Sequence, residues 1–303
     1  MTDTLLAIKV DVDTERGTRL GVPALLELFS ELGIRATFLF ALGPDNTGRA
    51  LRRVFRPGFF GKVVRTSVLS TYGLRTLLNG VLWPGPHIGR RHEALLRSVR
   101  AAGHEVGIHC YDHVRWQDGL ARMSLPEVRE EFGRARQEFQ RIFGVPAPTA
   151  GAAGWQADAH SLEVYDEAGL EYASDARGSA AFYPRVAGRV FRTLQIPTTL
   201  PTLDELLGRP EFPESELVNH YLSQLQTGRL NVLTAHAEIE GMSKRDLFAD
   251  FLRRAAHSGA RFVCLDEIAQ VLRAAATVQV CDLVQGTVDG RSGTLAVQQI
   301  ATA

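Results

Sequence analysis

The chain has 303 residues, of which 45% are hydrophobic and 22% are charged, a composition typical of a globular protein with a sizeable core. Its formal net charge of 0 gives no reason to expect nucleic acid as a partner. The cysteines, Cys110, Cys264 and Cys281, are odd in number and lack the paired spacing of a disulfide framework. No secretory leader and no run of about eighteen apolar residues is present, so we expect a protein of the reducing cytoplasm.

The first elements predict an α/β fold with a parallel sheet. An apolar run over residues 5–10 predicts a strand, Val22 and Pro23 open an amphipathic helix that Gly33 ends, and residues 34–41 predict a second strand. This β-α-β order favours right-handed crossovers between parallel strands. Two acids, Asp11 and Asp13, follow the first strand at alternate positions, so a bend there would give them different roles.

Residues 46–92 form an insertion with a one-sided charge. They include arginines and lysine but no Asp or Glu, and large apolar side chains such as Phe59 and Trp83 are interleaved with the cations. This mixture is expected of a segment that lies in a membrane interface beside anionic headgroups. A solvated basic insertion with its own small core is an equal alternative, and a nucleic-acid patch lacks any accompanying binding motif.

Residues 103–113 contain the pair of histidines around which the prediction is organised. Residues 106–108 predict a buried strand, and His109 and His113 follow at a spacing of one helical turn. If the chain coils as it leaves the strand, both imidazoles can reach one metal ion. Cys110 would point the other way, and Trp116 offers an aromatic wall near the site.

The second half of the chain continues the alternation of strands and helices. A capping box at residues 124–127 starts a long helix, and a small-residue segment with Trp155 follows it. A short strand at 170–174 leads to Asp175 and Arg177, which either bind substrate or form a local ion pair. The apolar run 230–235 ends in His236.

The last elements complete the count of strand-helix units. Ser243 is expected to cap the next helix, which Gly259 stops, and a strand at 261–265 and a helix to about residue 275 follow. About seven strand-helix units result. We take residues 1–275 as one domain and expect residues 276–303 to form a peripheral or poorly ordered tail.

Side chains at strand ends predict a hydrolytic metal site, because α/β folds build their sites there. A divalent ion held by Asp13, His109 and His113 would keep open positions, and zinc, manganese and cobalt all suit this donor set. Asp11 could then act as general base and His236 as general acid in hydrolysis of an amide or ester. No GxSxG, Walker A or GxGxxG sequence supports a serine hydrolase, P-loop or Rossmann protein.

In its order of motifs the chain resembles the polysaccharide deacetylase family. Acid-x-acid after the first strand, HxxxH after a middle strand and a late strand-end histidine carry this resemblance, which spans about residues 5–275. It implies a deformed (β/α)7-type barrel, a base at Asp11, metal ligands at Asp13, His109 and His113, and an acid at His236.

A closer resemblance to one branch of that family implies the substrate. The reaction would remove formate from a formamido sugar carried on undecaprenyl phosphate and leave an amine for transfer to lipid A. The insertion at 46–92 would then meet an anionic membrane surface, at the cytoplasmic face of the bacterial inner membrane, and no obligate protein partner is indicated. The rival hypotheses are a deacylase for a soluble amino sugar or cyclic amide, and a catalytically silent lipid-binding homologue.

The chain departs from the family pattern in two places. One valine separates Asp11 from Asp13, where many members have adjacent acids, so either carboxylate could be the metal ligand. The Arg-Pro motif that precedes the small-residue segment in the family is absent. We hypothesise that Arg177, beside Asp175, substitutes for it.

Overall fold

The computed structural model describes residues 3–50, 76–274 and 278–300, which form a mixed sheet with helices packed around it. Its strands are β1 (Thr4–Val12), β2 (Thr37–Ala41), β3 (Glu105–Cys110), β4 (Thr149–Ala150), β5 (Tyr172–Ala173), β6 (Phe182–Val186), β7 (Arg189–Val190), β8 (Leu194–Gln195), β9 (Asn231–His236), β10 (Ala260–Val263), β11 (Gln279–Gly286) and β12 (Leu295–Gln299). Its α-helices are α1 (Val22–Leu32), α2 (Ile88–Arg91), α3 (Glu93–Ala101), α4 (His113–Gly119), α5 (Leu125–Phe143), α6 (Ala159–Ala168), α7 (Leu203–Leu206), α8 (Leu217–Gln224), α9 (Arg245–His257) and α10 (Leu265–Ala274).

The parallel strands curl into a deformed barrel around β1. One edge of β1 pairs with β10 over its first half and with β2 over its second half, and its other edge pairs with β9. The sheet continues through β3, β4, β5 and β8. The backbone N–H groups of Thr199 and Leu200, just after β8, each donate to the Val232 carbonyl in β9 at 3.1 Å and so close the sheet on itself. The predicted barrel fold is confirmed.

Local signals explain where the helices begin and end. Pro23 lies in the first turn of α1, and Gly33 ends that helix with a left-handed φ of 64°. The predicted capping box at Ser124 and Glu127 is present at the start of α5. The predicted cap at Ser243 is wrong, because that residue ends a π-helical turn and α9 begins without a side-chain cap.

Part of the basic insertion lies outside the described residues, since 51–75 are not among them. Over the described remainder, Asn46 is buried and its amide donates to Asp112 at 2.6 Å. In contrast, Val81, Leu82 and Trp83 are 56%, 66% and 42% exposed. In the described ranges we find no helix that is both long and apolar enough to cross a membrane.

The C-terminal segment is part of the fold, and the prediction of a peripheral or poorly ordered tail is wrong for residues 278–300. Strand β11 pairs in parallel with β6 and antiparallel with β12. Cys281, Leu283, Leu295 and Ala296 are buried in this hairpin. Its alternation is weak, because many side chains of β11 are exposed, and for this reason the sequence pattern did not indicate a strand.

Candidate active site

The strand-end acids Asp11 and Asp13 are separated by the end of β1 at Val12. Asp11 is still inside the strand and is buried, whereas Asp13 begins the following turn. The buried Glu238 fixes this turn, because its Oε1 accepts hydrogen bonds from the Thr14 N–H at 2.9 Å and the Asp13 N–H at 3.2 Å. The predicted bend is therefore present, and the two carboxylates face different neighbours.

The two predicted histidines both face Asp13. His109 is the second-last residue of β3. His113 is the first residue of α4, and the Asp112 side chain caps that helix. The Nε2 atoms of His109 and His113 lie 3.2 and 3.5 Å from the two carboxylate oxygens of Asp13. The chain thus coils immediately after the strand, as the HxxxH spacing predicts.

The ring of His109 is oriented by the backbone of Gly151. The distance from His109 Nδ1 to the Gly151 carbonyl oxygen is 2.6 Å. A carbonyl only accepts, so Nδ1 carries the proton and Nε2 presents its lone pair to Asp13 and the metal position. A Cβ at residue 151 would lie 2.4 Å from Leu39 Cδ1, so only glycine lets the backbone approach this closely.

These three side chains fit a divalent cation. One ligand atom from each of Asp13, His109 and His113 lies within 4.8 Å of the others. Asp13 Oδ1 is a buried atom without a hydrogen-bond partner in the described part of the chain. Burial alone would raise the pKa of the Asp13 carboxyl, but the imidazoles of His113 and His109 outweigh it and hold that pKa well below its usual range. One anionic oxygen and two imidazole nitrogens form a donor set for a catalytic ion.

Asp11 lies behind this cluster and pairs with a buried lysine. Its Oδ1 is 3.9 Å from His109 Nδ1, and its Oδ2 is 3.4 Å from the Nζ atom of Lys9. Lys9 is fully buried and also donates to the Ser174 carbonyl at 3.1 Å. Lys9 and Asp11 are two residues apart in β1, so the strand directs both side chains to the same face.

His236 approaches from the end of β9, the strand that pairs with β1. Its backbone N–H donates to the Glu240 carboxylate at 2.8 Å, and its ring lies edge-on to Trp155 with the centroids 6.3 Å apart. Its Nδ1 atom is 4.0 Å from Asp204 Oδ1. His236 is the register partner of Asp11 in the pairing of β1 and β9, so it lies at the same end of the sheet as the two strand-end acids.

Comparison with known proteins identifies the family of the chain. The family described as polysaccharide deacetylase matches residues 7–173, just over half of the 303-residue chain. The chain belongs to the polysaccharide deacetylase family. The family resemblance of the sequence is thereby confirmed.

Two relatives of this deacetylase family member have the same name, probable 4-deoxy-4-formamido-L-arabinose-phosphoundecaprenol deformylase ArnD. The protein of Shewanella sediminis is 38% identical over 265 residues, which cover 88% of this chain and 86% of that protein. The protein of Wigglesworthia glossinidia brevipalpis is 32% identical over 286 residues, which cover 93% of this chain and 98% of that protein.

Solved structures of the polysaccharide deacetylase fold are similar to this chain at low identity. A candidate polysaccharide deacetylase from Mycobacterium smegmatis has a TM-score of 0.63 at 18% identity and covers 90% of this chain and 92% of its own. A family 4 acetyl xylan esterase from Clostridium thermocellum, in complex with a cobalt ion, has a TM-score of 0.52 at 13% identity and covers 89% and 92%.

Trp116, predicted as a substrate contact, has a different place in this family member. It is buried, its indole N–H donates to the Gln156 carbonyl at 3.0 Å, and its ring stacks on Tyr165. It is therefore a core side chain, and that part of the prediction is corrected. Trp155 does line the site, and its backbone has a left-handed φ of 53°, a strained conformation for an aromatic residue.

Asp175 and Arg177 do not form the local ion pair that was one of the two alternatives. The Asp175 carboxylate accepts hydrogen bonds from the Ala152 N–H at 2.7 Å and from Gln195 at 2.8 Å. Arg177 pairs with Glu205 at 2.5 Å, while Lys9 occupies the place beside the candidate base. That Arg177 substitutes for the missing family arginine stays a prediction, which turnover of Arg177→Ala tests.

Three site residues were missed by the sequence analysis. The role of Lys9 could have been predicted from the sequence, because a lysine inside an apolar strand needs a buried anion and Asp11 follows it by two residues. Asp204 lies in a short helix after a loop, and Arg291 lies in the C-terminal hairpin, 55 positions after His236 in the numbering of the chain. Neither of the latter two carried a signal, because only tertiary contacts bring them to the site.

Proposed function

We propose that this member of the polysaccharide deacetylase family is a metal-dependent deformylase. Its substrate is 4-deoxy-4-formamido-L-arabinose carried on undecaprenyl phosphate, and its products are formate and the 4-amino-sugar lipid used to modify lipid A. The convergence of Asp13, His109 and His113 at one point, with Asp11 beside His109 and with His236 opposite Asp11 in the pairing of β1 and β9, carries the proposal. The substrate follows from the name that two relatives share over most of the chain.

In the proposed reaction, Asp11 and His236 each carry out one proton transfer. Asp11 accepts a proton from the attacking water, whose oxygen forms a bond to the formyl carbon. His236 donates a proton to the sugar nitrogen as the carbon–nitrogen bond breaks. Formate leaves with the oxygen of water, and the sugar keeps a free amine. Lys9 holds the Asp11 carboxylate in place from the buried side, at 3.4 Å.

Asp13, His109 and His113 would hold the cation, with zinc as the proposed ion and manganese or cobalt as alternatives. When bound, such an ion polarises a carbonyl and the attacking water as a Lewis acid. Gly151 contributes by holding the His109 ring with its Nε2 lone pair toward the cluster. A cobalt ion in the acetyl xylan esterase supports a divalent metal in this fold.

A lipid-linked substrate requires the enzyme to work at a membrane surface. We propose that residues 46–92 form this contact on the cytoplasmic face of the inner membrane, as a part of the deacylase barrel of residues 1–275. The exposed side chains of Val81, Leu82 and Trp83 support this placement, because they lie in the same insertion as its excess of cations. Apolar side chains beside cations bind anionic interfaces.

Formate release from the formamido-sugar lipid tests the proposed function. We expect activity that a chelator removes and that zinc, manganese or cobalt restores, and a loss of at least about 100-fold in kcat for Asp11→Asn and for His236→Ala. Persistent activity after removal of all metal would contradict a metal-dependent reaction. Full activity on a short water-soluble formamide would favour a deacylase for soluble substrates, and absence of any metal-dependent release would leave a silent lipid-binding homologue.

A further inference from the structure

The C-terminal hairpin of β11 and β12 reaches the active site through its connecting loop. The hairpin is fixed to the barrel at Arg177, whose N–H donates to the Ala296 carbonyl at 2.9 Å and whose carbonyl accepts from Gln298 at 2.8 Å. In the loop, Gly290 has a φ of 81°, and a Cβ there would lie 2.3 Å from the Glu205 carbonyl oxygen. The loop is thus seated directly on helix α7.

This packing of the loop on α7 places the Arg291 side chain beside the acids of that helix. Its Nε lies 2.8 Å from Glu205 Oε1, and its Nη2 lies 3.2 Å from Asp204 Oδ1 and 3.2 Å from the Thr202 hydroxyl. The guanidinium also lies over the ring of Trp155, with Cζ 4.2 Å from the centroid. The fork of donors in arginine suits such a set of acceptors, and a lysine could not reproduce it.

Asp204 connects this arginine to the candidate general acid. The same Oδ1 atom that contacts Arg291 lies 4.0 Å from Nδ1 of His236. That ring nitrogen is buried and has no hydrogen-bond partner in the described part of the chain. Catalytic hydrogen bonds are often long in a structure without substrate and tighten in the working complex. A small approach of the carboxylate would make Asp204 the acceptor for a proton on Nδ1.

We propose that Arg291 is a positioning residue for the general acid, and that the C-terminal hairpin completes the active site by supplying it. Arg291 holds Asp204 against His236, which fixes the proton on Nδ1 and leaves Nε2 to serve the leaving nitrogen. Glu205 has Arg177 as a second cation, and Asp204 also accepts from the Thr202 hydroxyl at 2.6 Å, so Arg291→Gln removes a charged contact from Asp204 and leaves a neutral one. This inference rests on the proposed function, because it assigns a role in the proton transfer of that reaction.

The experiment uses the zinc-loaded full chain and a double-mutant cycle. Arg291→Gln should lower kcat for formate release by about 100-fold with little change in KM, because a catalytic group is displaced while the substrate pocket is kept. In an Asp204→Asn background the same substitution should lower kcat by less than about twofold, since both changes break one chain of contacts. An equal loss in both backgrounds would overturn the proposal.

The ring of His236 gives a second readout that does not depend on turnover. In chains with 15N-labelled histidine, NMR should show the proton of neutral His236 on Nδ1 in the unaltered protein and a mixture of tautomers in Arg291→Gln. An unchanged tautomer would overturn the positioning role. If the unaltered chain releases no formate, the proposed function fails, yet this spectrum still decides what Arg291 does.

Two further variants separate positioning from folding. Asp289→Asn is the matched control, because Asp289 lies in the same loop, is 84% exposed and pairs with Arg209 away from the site. It should leave kcat and the His236 spectrum unchanged. Arg291→Lys keeps a cation and should fold even where Arg291→Gln does not. It should recover part of kcat, and a value equal to that of the unaltered chain would contradict the need for a forked donor.

Discussion

The buried ion pair between Lys9 and Asp11 allows the proposed chemistry to be tested at a residue that cannot touch the substrate. Lys9 is 0% exposed, and its Nζ lies 3.4 Å from the Asp11 carboxylate and donates to the Ser174 carbonyl at 3.1 Å. In Lys9→Met the side chain keeps a similar length and loses its charge. Asp11 would then be a buried carboxylate without its cation, next to the second carboxylate of Asp13.

Two effects of known size should follow from Lys9→Met. Removal of one partner of a buried ion pair lowers the free energy of unfolding by about 3–5 kcal/mol. For a chain of this length, that corresponds to a fall of about 5–8 °C in Tm. The general base would also lose its fixed position, and because general bases contribute about 100-fold or more, kcat should fall by about that factor. KM should not change, since no substrate contact is removed.

The assay is formate release together with metal content and thermal unfolding. The matched control is Lys244→Met, which removes a lysine from a surface pair with Glu214 and should change the free energy of unfolding by less than about 1 kcal/mol. Retention of kcat in Lys9→Met would refute the role of Lys9 beside the base. A loss of bound metal in proportion to the loss of kcat would instead assign Lys9 to the metal cluster.

Further predictions concern the metal cluster, the membrane and pH. Gly151→Ala should weaken metal binding, measured by titration calorimetry, because its Cβ would displace the carbonyl that orients His109, whereas Gly133→Ala, which meets no atom within 4 Å, should raise Tm slightly. Leu82→Asp should release the protein from anionic vesicles in sedimentation, and Val190→Asp, at a similarly exposed site elsewhere, should not. Burial raises the pKa of Glu105 to about 7, so the native state prefers the protonated form and stability falls as pH rises from about 4.5 through 7. Glu105→Gln should lessen this fall in urea unfolding, because the raised pKa values of Glu238, Glu240 and Asp175 act in the same direction, and an equal fall in the variant would exclude Glu105 as a source.

The site residues that could be predicted from the sequence are those at the ends of parallel strands. Asp13, His109 and His236 each follow an apolar run, and the carboxyl ends of parallel strands meet at one edge of a barrel. Their convergence thus follows from the strand-helix alternation alone. The sequence could not distinguish the roles of Asp11 and Asp13, because this depends on the residue at which β1 ends.

The unpredicted part of the site depends on contacts between distant segments. Arg291 reaches Asp204 only because the hairpin of β11 and β12 continues the sheet beyond β6. The exposed face of β11 and the turn residues around Gly290 have no amphipathic pattern, so the sequence predicts a tail there and not a hairpin. The opposite applies to Trp116, which is close to His113 in the sequence and is therefore predicted to line the site. In the structure Trp116 lies in α4 with its side chain buried in the core.

Trp155 contacts cations from both halves of the proposed site. Its ring lies 5.3 Å from Lys9 Nζ, 5.5 Å from Arg177 Cζ and 4.2 Å from Arg291 Cζ, so three cations interact with one π-system. Lys9 is paired with Asp11, the proposed base, and Arg291 is paired with Asp204, beside the proposed acid. Because the proposed base must accept a proton while the proposed acid donates one, separate cations let each half of the site keep its own charge state. The left-handed backbone of Trp155 is a strained conformation of the kind that clusters at functional sites.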